Sequence, residues 1–122
     1  MTTTIQSTVE RIGVGPRMTQ ISIHNGTVYL AGQVAKANPG ASAKAQTEEI
    51  LAAIDARLAE AGTSKANLLM VQIILTDMKH FDGMNEAWDA WLPEGCAPGR
   101  ACYTGDLNRA GLDVEFIVTA AR

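Results

Sequence analysis

The hydrophobic patterning predicts an α+β fold: one mixed β-sheet with two helices packed on one of its faces. Three observations carry this prediction. Asn25-Gly26 separates two β-rich runs, and two later stretches repeat apolar residues at three- and four-residue spacing. Between those two stretches lies Leu68 to Thr76, which is almost wholly apolar.

Element by element, Thr8 to Arg11 alternates as a short strand, and Gly13 and Gly15-Pro16 break it. Met18 to His24 alternates with period two, and Thr27 to Val34 is a second β-rich run. The Asn-Gly pair between them predicts a hairpin, because a type I′ turn needs positive φ at both central residues. After Pro39-Gly40, Ser42 is a helix N-cap candidate. Ile50, Leu51, Ile54 and Leu58 then mark an amphipathic helix from Ser42 to Ala61, stopped by Gly62. Leu68 to Thr76 reads as a central strand. Phe81, Met84, Trp88 and Leu92 mark a second helix, ended by Pro93. Arg100 to Thr104 and Leu112 to Ala120 read as two closing strands, joined as a hairpin through Asn108 to Gly111. The order is β-β-β-α-β-α-β-β within a single domain spanning 1–122. The sheet face away from the helices also carries apolar positions, and no further element remains to cover it, so self-association is expected.

Composition excludes several function classes. Thirteen acidic against ten basic residues give a net charge of −3, which argues against a nucleic-acid partner gripped through its phosphates. No run approaches the apolar length of a membrane span, so no membrane partner is expected. Met1 to Thr4 lead into a polar segment with neither basic start nor apolar stretch, so no secretory leader is expected. Cys96 and Cys102 are too few and too close for a disulfide framework, and the expectation is a reduced, cytoplasmic protein.

Most constellations that could carry chemistry fail on inspection. His24 and His80 are the only histidines, and neither has partners at metal-ligand spacing; Cys96 with Cys102 would lack two ligands. No metal and no cofactor is expected. Gly13-Val-Gly15-Pro16 lacks the Gly-Lys-Ser/Thr ending of a phosphate loop and precedes a strand, so it reads as a turn. Cys102 reads as a structural thiol. Met84, Trp88 and Trp91 read as packing, and the roles of Asn85, Tyr29 and Gln33 stay open.

One pair stands apart. Glu115 interrupts the otherwise apolar Val114-Glu-Phe-Ile-Val, and a buried carboxylate needs a partner, hydrogen bonds or a proton. Arg100 opens the preceding strand. In a hairpin, Glu115 would face Cys102 or Tyr103, within reach of that guanidinium. Two readings remain open: a structural ion pair, or an arginine fork for a small carboxylate with the glutamate holding a water beside it.

Leu30-Ala-Gly-Gln-Val, Asn85, Pro98-Gly-Arg-Ala-Cys102 and Val114-Glu-Phe, in this order of elements, resemble the Rid (RidA/YjgF) family, long labelled endoribonuclease L-PSP. This is the family of enamine/imine deaminases. The resemblance covers nearly the whole chain, and its most specific part is Pro-x-Arg-x-Cys with a glutamate fifteen residues after the arginine. It implies a homotrimer of chorismate-mutase-like subunits with three clefts at the subunit interfaces. It also implies cofactor-independent hydrolysis of 2-imino acids or enamines, of the 2-aminoacrylate or 2-aminocrotonate type, to 2-keto acids and ammonia. By the same resemblance Arg100 grips the substrate carboxylate, the backbone at Cys102 contacts substrate or water, Glu115 orients the water, and Gly32 lines the cleft. Asn85 belongs to the same motif set. Active relatives usually carry a Tyr after Gly-Pro, where this chain has Arg17 and Met18, and a Ser where it has Ala31; these three positions join the expected substrate-binding set. The chemistry suits the inventory, since hydrolysing an electrophilic imine asks for orientation, a held water and modest charge stabilisation. The rival readings are a non-catalytic, small-carboxylate-binding or chaperone-like trimer, and the ribonuclease of the family label, against which the acidity of the chain weighs.

Overall fold

A computed structural model describes residues 5–122. Its elements run β1 (Glu10–Val14), β2 (Thr19–His24), β3 (Thr27–Leu30), β4 (Gln33–Val34), α1 (Ala43–Glu60), β5 (Leu68–Leu75), α2 (Phe81–Trp91), β6 (Gly99–Thr104) and β7 (Val114–Ala121), with short 3-10 turns before β5 and α2. The expected order is present except that the run Thr27 to Val34 is broken at Ala31-Gly32 into two strands, β3 and β4. The first strand lies two to three residues later than the alternation suggested, and Gly13 sits inside it.

The β2–β3 hairpin closes as its sequence requires. Asn25 and Gly26 have φ of 51° and 77°, the left-handed values of a type I′ turn. Ser42 caps α1, its hydroxyl accepting from the Ala45 amide at 3.1 Å. Inside α1, the buried Gln46 amide donates to the Ala41 and Gly111 carbonyls, and its oxygen accepts from Asp113 N–H. One helix side chain thus fixes the loop that leads into β7.

The sheet runs β1-β2-β3-β7-β5-β6, with β4 also paired to β7. Strand β7 inserts antiparallel between β3 and β5, while β6 pairs with β5 in parallel at the far edge. This overturns the expected β6–β7 hairpin, because β5 lies between the two strands. The physical reason is the connection. A strand, a helix and a second strand form a crossover unit whose strands pair in parallel. The β5–α2–β6 segment is such a unit, so β6 takes one side of β5 and stays at the sheet edge, while β7 takes the other side of β5.

Along β7, Val114, Phe116, Val118 and Ala120 are buried and the residues between them are not. The buried set joins Ile21, Val28, Ile73, Ile54, Leu58 and Met84 in one core beneath both helices. The opposite face is open. One of its rungs is Tyr29–Thr119–Met70 and another is Val34–Glu115–Ile74–Tyr103. Tyr29, Met70 and Tyr103 are exposed there, so β5 is not the doubly covered strand that its composition suggested. Among the described residues, no helix is long and apolar enough to cross a membrane.

Candidate active site

The residues expected to act together divide into two groups on opposite faces of the sheet. Arg100 pairs with Val71 of β5, whose side chain is buried under the helices, so the arginine stem starts on the helix face. Because β6 is an edge strand, the guanidinium emerges at the rim against α2. Its Nη1 donates to Asn85 Oδ1 at 2.7 Å and lies 4.0 Å from Met84 Sδ. Its central carbon sits 5.5 Å from the Trp88 ring centroid and 6.0 Å from that of Phe81. Phe81, Met84, Asn85 and Trp88 are spaced i, i+3, i+4 and i+7, which puts them on one helix face. They form a shelf of rings and one amide that orients the cation without neutralising it. Trp88 is also packing, stacked 5.9 Å from Phe116 and 5.6 Å from Trp91.

Cys102 is two residues further along the same face, half-buried beside the core. Burial pushes its thiol pKa up, and the Arg100 charge offsets this only in part. That is the environment of a protonated thiol and not of an activated nucleophile.

The second group gathers around Glu115. This residue registers with Ile74, whose side chain belongs to the open face. Between Tyr29↔Thr119 and Gln33↔Phe116, four residues advance on one strand against three on β7. The extra residue is a bulge at Ala31-Gly32. A Cβ on Gly32 would stand 2.6 Å from Glu115 Oε2, so the carboxylate occupies the space where that side chain would be. Burial there raises the Glu115 pKa above the ordinary carboxylate range. The bulge is held by hydrogen bonds: Ala31 N–H donates to the Gln20 carbonyl at 2.9 Å, and Gln33 Nε2 donates to the Ala31 carbonyl at 2.9 Å. Gln20 Nε2 lies 3.9 Å from Met18 Sδ, at the exposed turn that carries Arg17 and Met18.

Arg100 and Glu115 therefore do not pair within one chain. Arg100 lies level with Val71 and Glu115 with Ile74, on either side of β5. Three residues along the strands and two strand spacings across put their Cα atoms roughly 14 Å apart, on opposite faces. This excludes an ion pair between the two across a hairpin of one chain, and the reading of Arg100 as a fork for a small carboxylate stays open. Two concavities of the protomer lie elsewhere. One is a groove of about 270 Å³ between α1 and α2, and the other a cup of about 390 Å³ under Asp106 to Asp113. Neither is lined by Arg100 or Glu115.

Sequence reasoning left two contributors undefined. Asn85 turns out to be the neutral partner of Arg100, and helical spacing from Phe81 was the available signal. Gln33, which braces the bulge, had no such signal, because the bulge itself is a matter of strand pairing.

Residues 10–122 match the family described as Endoribonuclease L-PSP. The chain is 39% identical over 113 residues to a RutC family protein of Haemophilus influenzae, covering 93% of this chain and 97% of that protein. The RutC family protein YoaB of Escherichia coli is 39% identical over 114 residues, 93% of this chain and 98% of YoaB. The crystal structure of a YjgF family member from Neisseria meningitidis superposes with a TM-score of 0.90 at 38% identity, covering 93% and 94% of the two chains. That likeness extends to the α+β architecture as a whole.

Proposed function

From the premise that this chain belongs to the endoribonuclease L-PSP family, we propose that it hydrolyses 2-imino acids, or their enamine tautomers, to 2-keto acids and ammonia in clefts shared by two copies of the chain. The substrates include imines of the 2-iminopropanoate and 2-iminobutanoate type. Copies associate through the open sheet face, as a homotrimer.

The observation that carries the reading is the state of Arg100. Its guanidinium is exposed and fixed by an amide and two rings, and no acid of its own chain pairs with it among the described residues. A preoriented, uncompensated fork on an edge strand suits a small carboxylate. Glu115 supplies the complementary half: a carboxylate with a raised pKa, pressed against a bulge and open towards the uncovered face. One protomer holds these halves too far apart for a four-carbon substrate, so one must come from each of two copies. The apolar residues of the open face support such association.

In the assembled cleft, Arg100 of one copy holds the substrate carboxylate beside Glu115 of the other. Glu115 orients a water and takes one of its protons as the water oxygen bonds to the imine carbon and the C=N pair moves to nitrogen, then gives that proton to the nitrogen. The resulting carbinolamine loses ammonia when the C–N bond breaks, the hydroxyl proton passing to the nitrogen as the carbonyl forms. Orientation and proton transfer suffice for this reaction.

Mixed assemblies test both the chemistry and the sharing. Arg100→Ala and Glu115→Gln should each lower kcat/KM by about a hundredfold. When equal amounts are dissociated and reassembled together, half the clefts receive an intact arginine, and half of those an intact glutamate. About a quarter of wild-type activity should return. Activity that stays at the single-variant level would sink the shared cleft, and no imine hydrolysis by the wild-type protein would sink the enzyme.

A further inference from the structure

Arg17 sits at the tip of the β1–β2 turn, where the Gly15 N–H donates to the Met18 carbonyl at 2.9 Å and Val14 pairs with Thr19. Continuing the β2–β3 register from Ile21↔Leu30 by two residues brings Thr19 level with Gly32, the glycine whose Cβ space Glu115 fills. Side chains trace the same route. Met18 touches Gln20, Gln20 Oε1 accepts from Gln33 Nε2 at 3.4 Å, and Gln33 directly follows Gly32. The turn therefore borders the Glu115 half of the cleft. Arg17 is exposed there and enters no ion pair among the described residues. Glu115 does not pair with it either.

In the shared cleft proposed above, the edge strand of one copy would bring Arg100 and the β1–β2 turn of the other would bring Arg17, two guanidinium groups with no acid paired to them among the described residues. One α-carboxylate satisfies the first. We propose that Arg17 binds a second carboxylate at the end of the substrate side chain, so that the preferred substrates are imines of dicarboxylic amino acids, of the 2-iminosuccinate and 2-iminoglutarate class. This assignment rests on the shared-cleft deaminase reading. The two cations hold the ends of the molecule, and the imine carbon falls between them, next to Glu115. An arginine suits the task because its fork meets a carboxylate with two parallel hydrogen bonds.

The test compares two imines released in situ by amino-acid oxidases, 2-iminosuccinate from aspartate and 2-iminopropanoate from alanine, with keto-acid formation followed at low ionic strength. The wild-type protein should favour the dicarboxylic imine by about tenfold in kcat/KM, chiefly through KM. Arg17→Gln should bring that ratio close to one, and Arg17→Lys should restore most of it. Added salt should erode the preference, as screening requires. A wild-type ratio near one, or equal slowing of both imines by Arg17→Gln, overturns the assignment and leaves the deaminase standing. Failure to accelerate either imine overturns both.

Discussion

Arg100 and Glu115 stand fifteen residues apart in one sheet, and their surroundings are opposite in kind. The arginine occupies an edge strand, exposed, and its neighbours are an amide, a thioether and two aromatic rings. The glutamate occupies an inner strand, half-buried against a glycine, and its neighbourhood favours the proton. Each protomer thus keeps its cation charged but unneutralised, and its anion poised to exchange a proton. Had the two met within one chain, each would have cancelled the other's use, because a salt bridge consumes the fork and depresses the carboxylate pKa. A strand and a sheet face keep the two apart within one chain.

The sharpest way to break this contrast is to give the arginine an acid of its own. Asn85→Asp places a carboxylate where the amide oxygen now stands, 2.7 Å from Nη1. An internal ion pair should form, and the substrate carboxylate must then displace it. Steady-state kinetics should show kcat/KM lowered by about a hundredfold, mostly through KM, with the fold intact by circular dichroism. Unchanged kinetics would show that the fork is not the carboxylate anchor.

A smaller effect is expected on the glutamate side. Gly32→Ala puts a methyl group 2.6 Å from the present position of Glu115 Oε2. The carboxylate tip can swing aside, so thermal stability should change little. A displaced base, however, should reduce kcat by about tenfold with KM nearly constant.

The smallest effect is a difference in pH dependence. Burial raises the Glu115 pKa in the folded chain above its unfolded value, so the folded chain holds that proton better. The associated stability is fully present below the unfolded pKa and is lost as pH rises through the folded one. Glu115→Gln removes this loss. The variant should melt above the parent at pH 7, with the difference closing towards pH 4. A difference of opposite sign would mean that a cation, such as the guanidinium of a neighbouring copy, stabilises the ionised carboxylate in the assembly. In activity the same displacement puts the acid limb of the pH–rate profile above the usual carboxylate range, rate rising with pH.

Much of the fold was legible because its signals are local. Asn25-Gly26 prescribes its own backbone, Ser42 its own cap, and the spacing of Ile50, Leu51, Ile54 and Leu58 its own helix face. Glu115 drew attention for a similar reason, since a lone charge in an apolar strand needs an account wherever the strand goes; Arg100 was picked out through a hairpin that the sheet does not contain. Their partners were not legible. Which strand lies beside which depends on how helices and crossovers pack over the whole sheet, and a nine-residue loop after Thr104 looks much the same whether it closes a hairpin or spans β5.

The chain's own order of residues settled the elements, the two charges worth asking about and the turn that carries Arg17, because each depends on neighbours within a few positions. Only the tertiary structure decided that β5 divides the arginine from the glutamate, that Asn85 holds one, and that a bulge at Gly32 receives the other. Those outcomes come from pairings between residues far apart in sequence, whose free energies are set by the burial of the entire sheet and not by any short stretch of it.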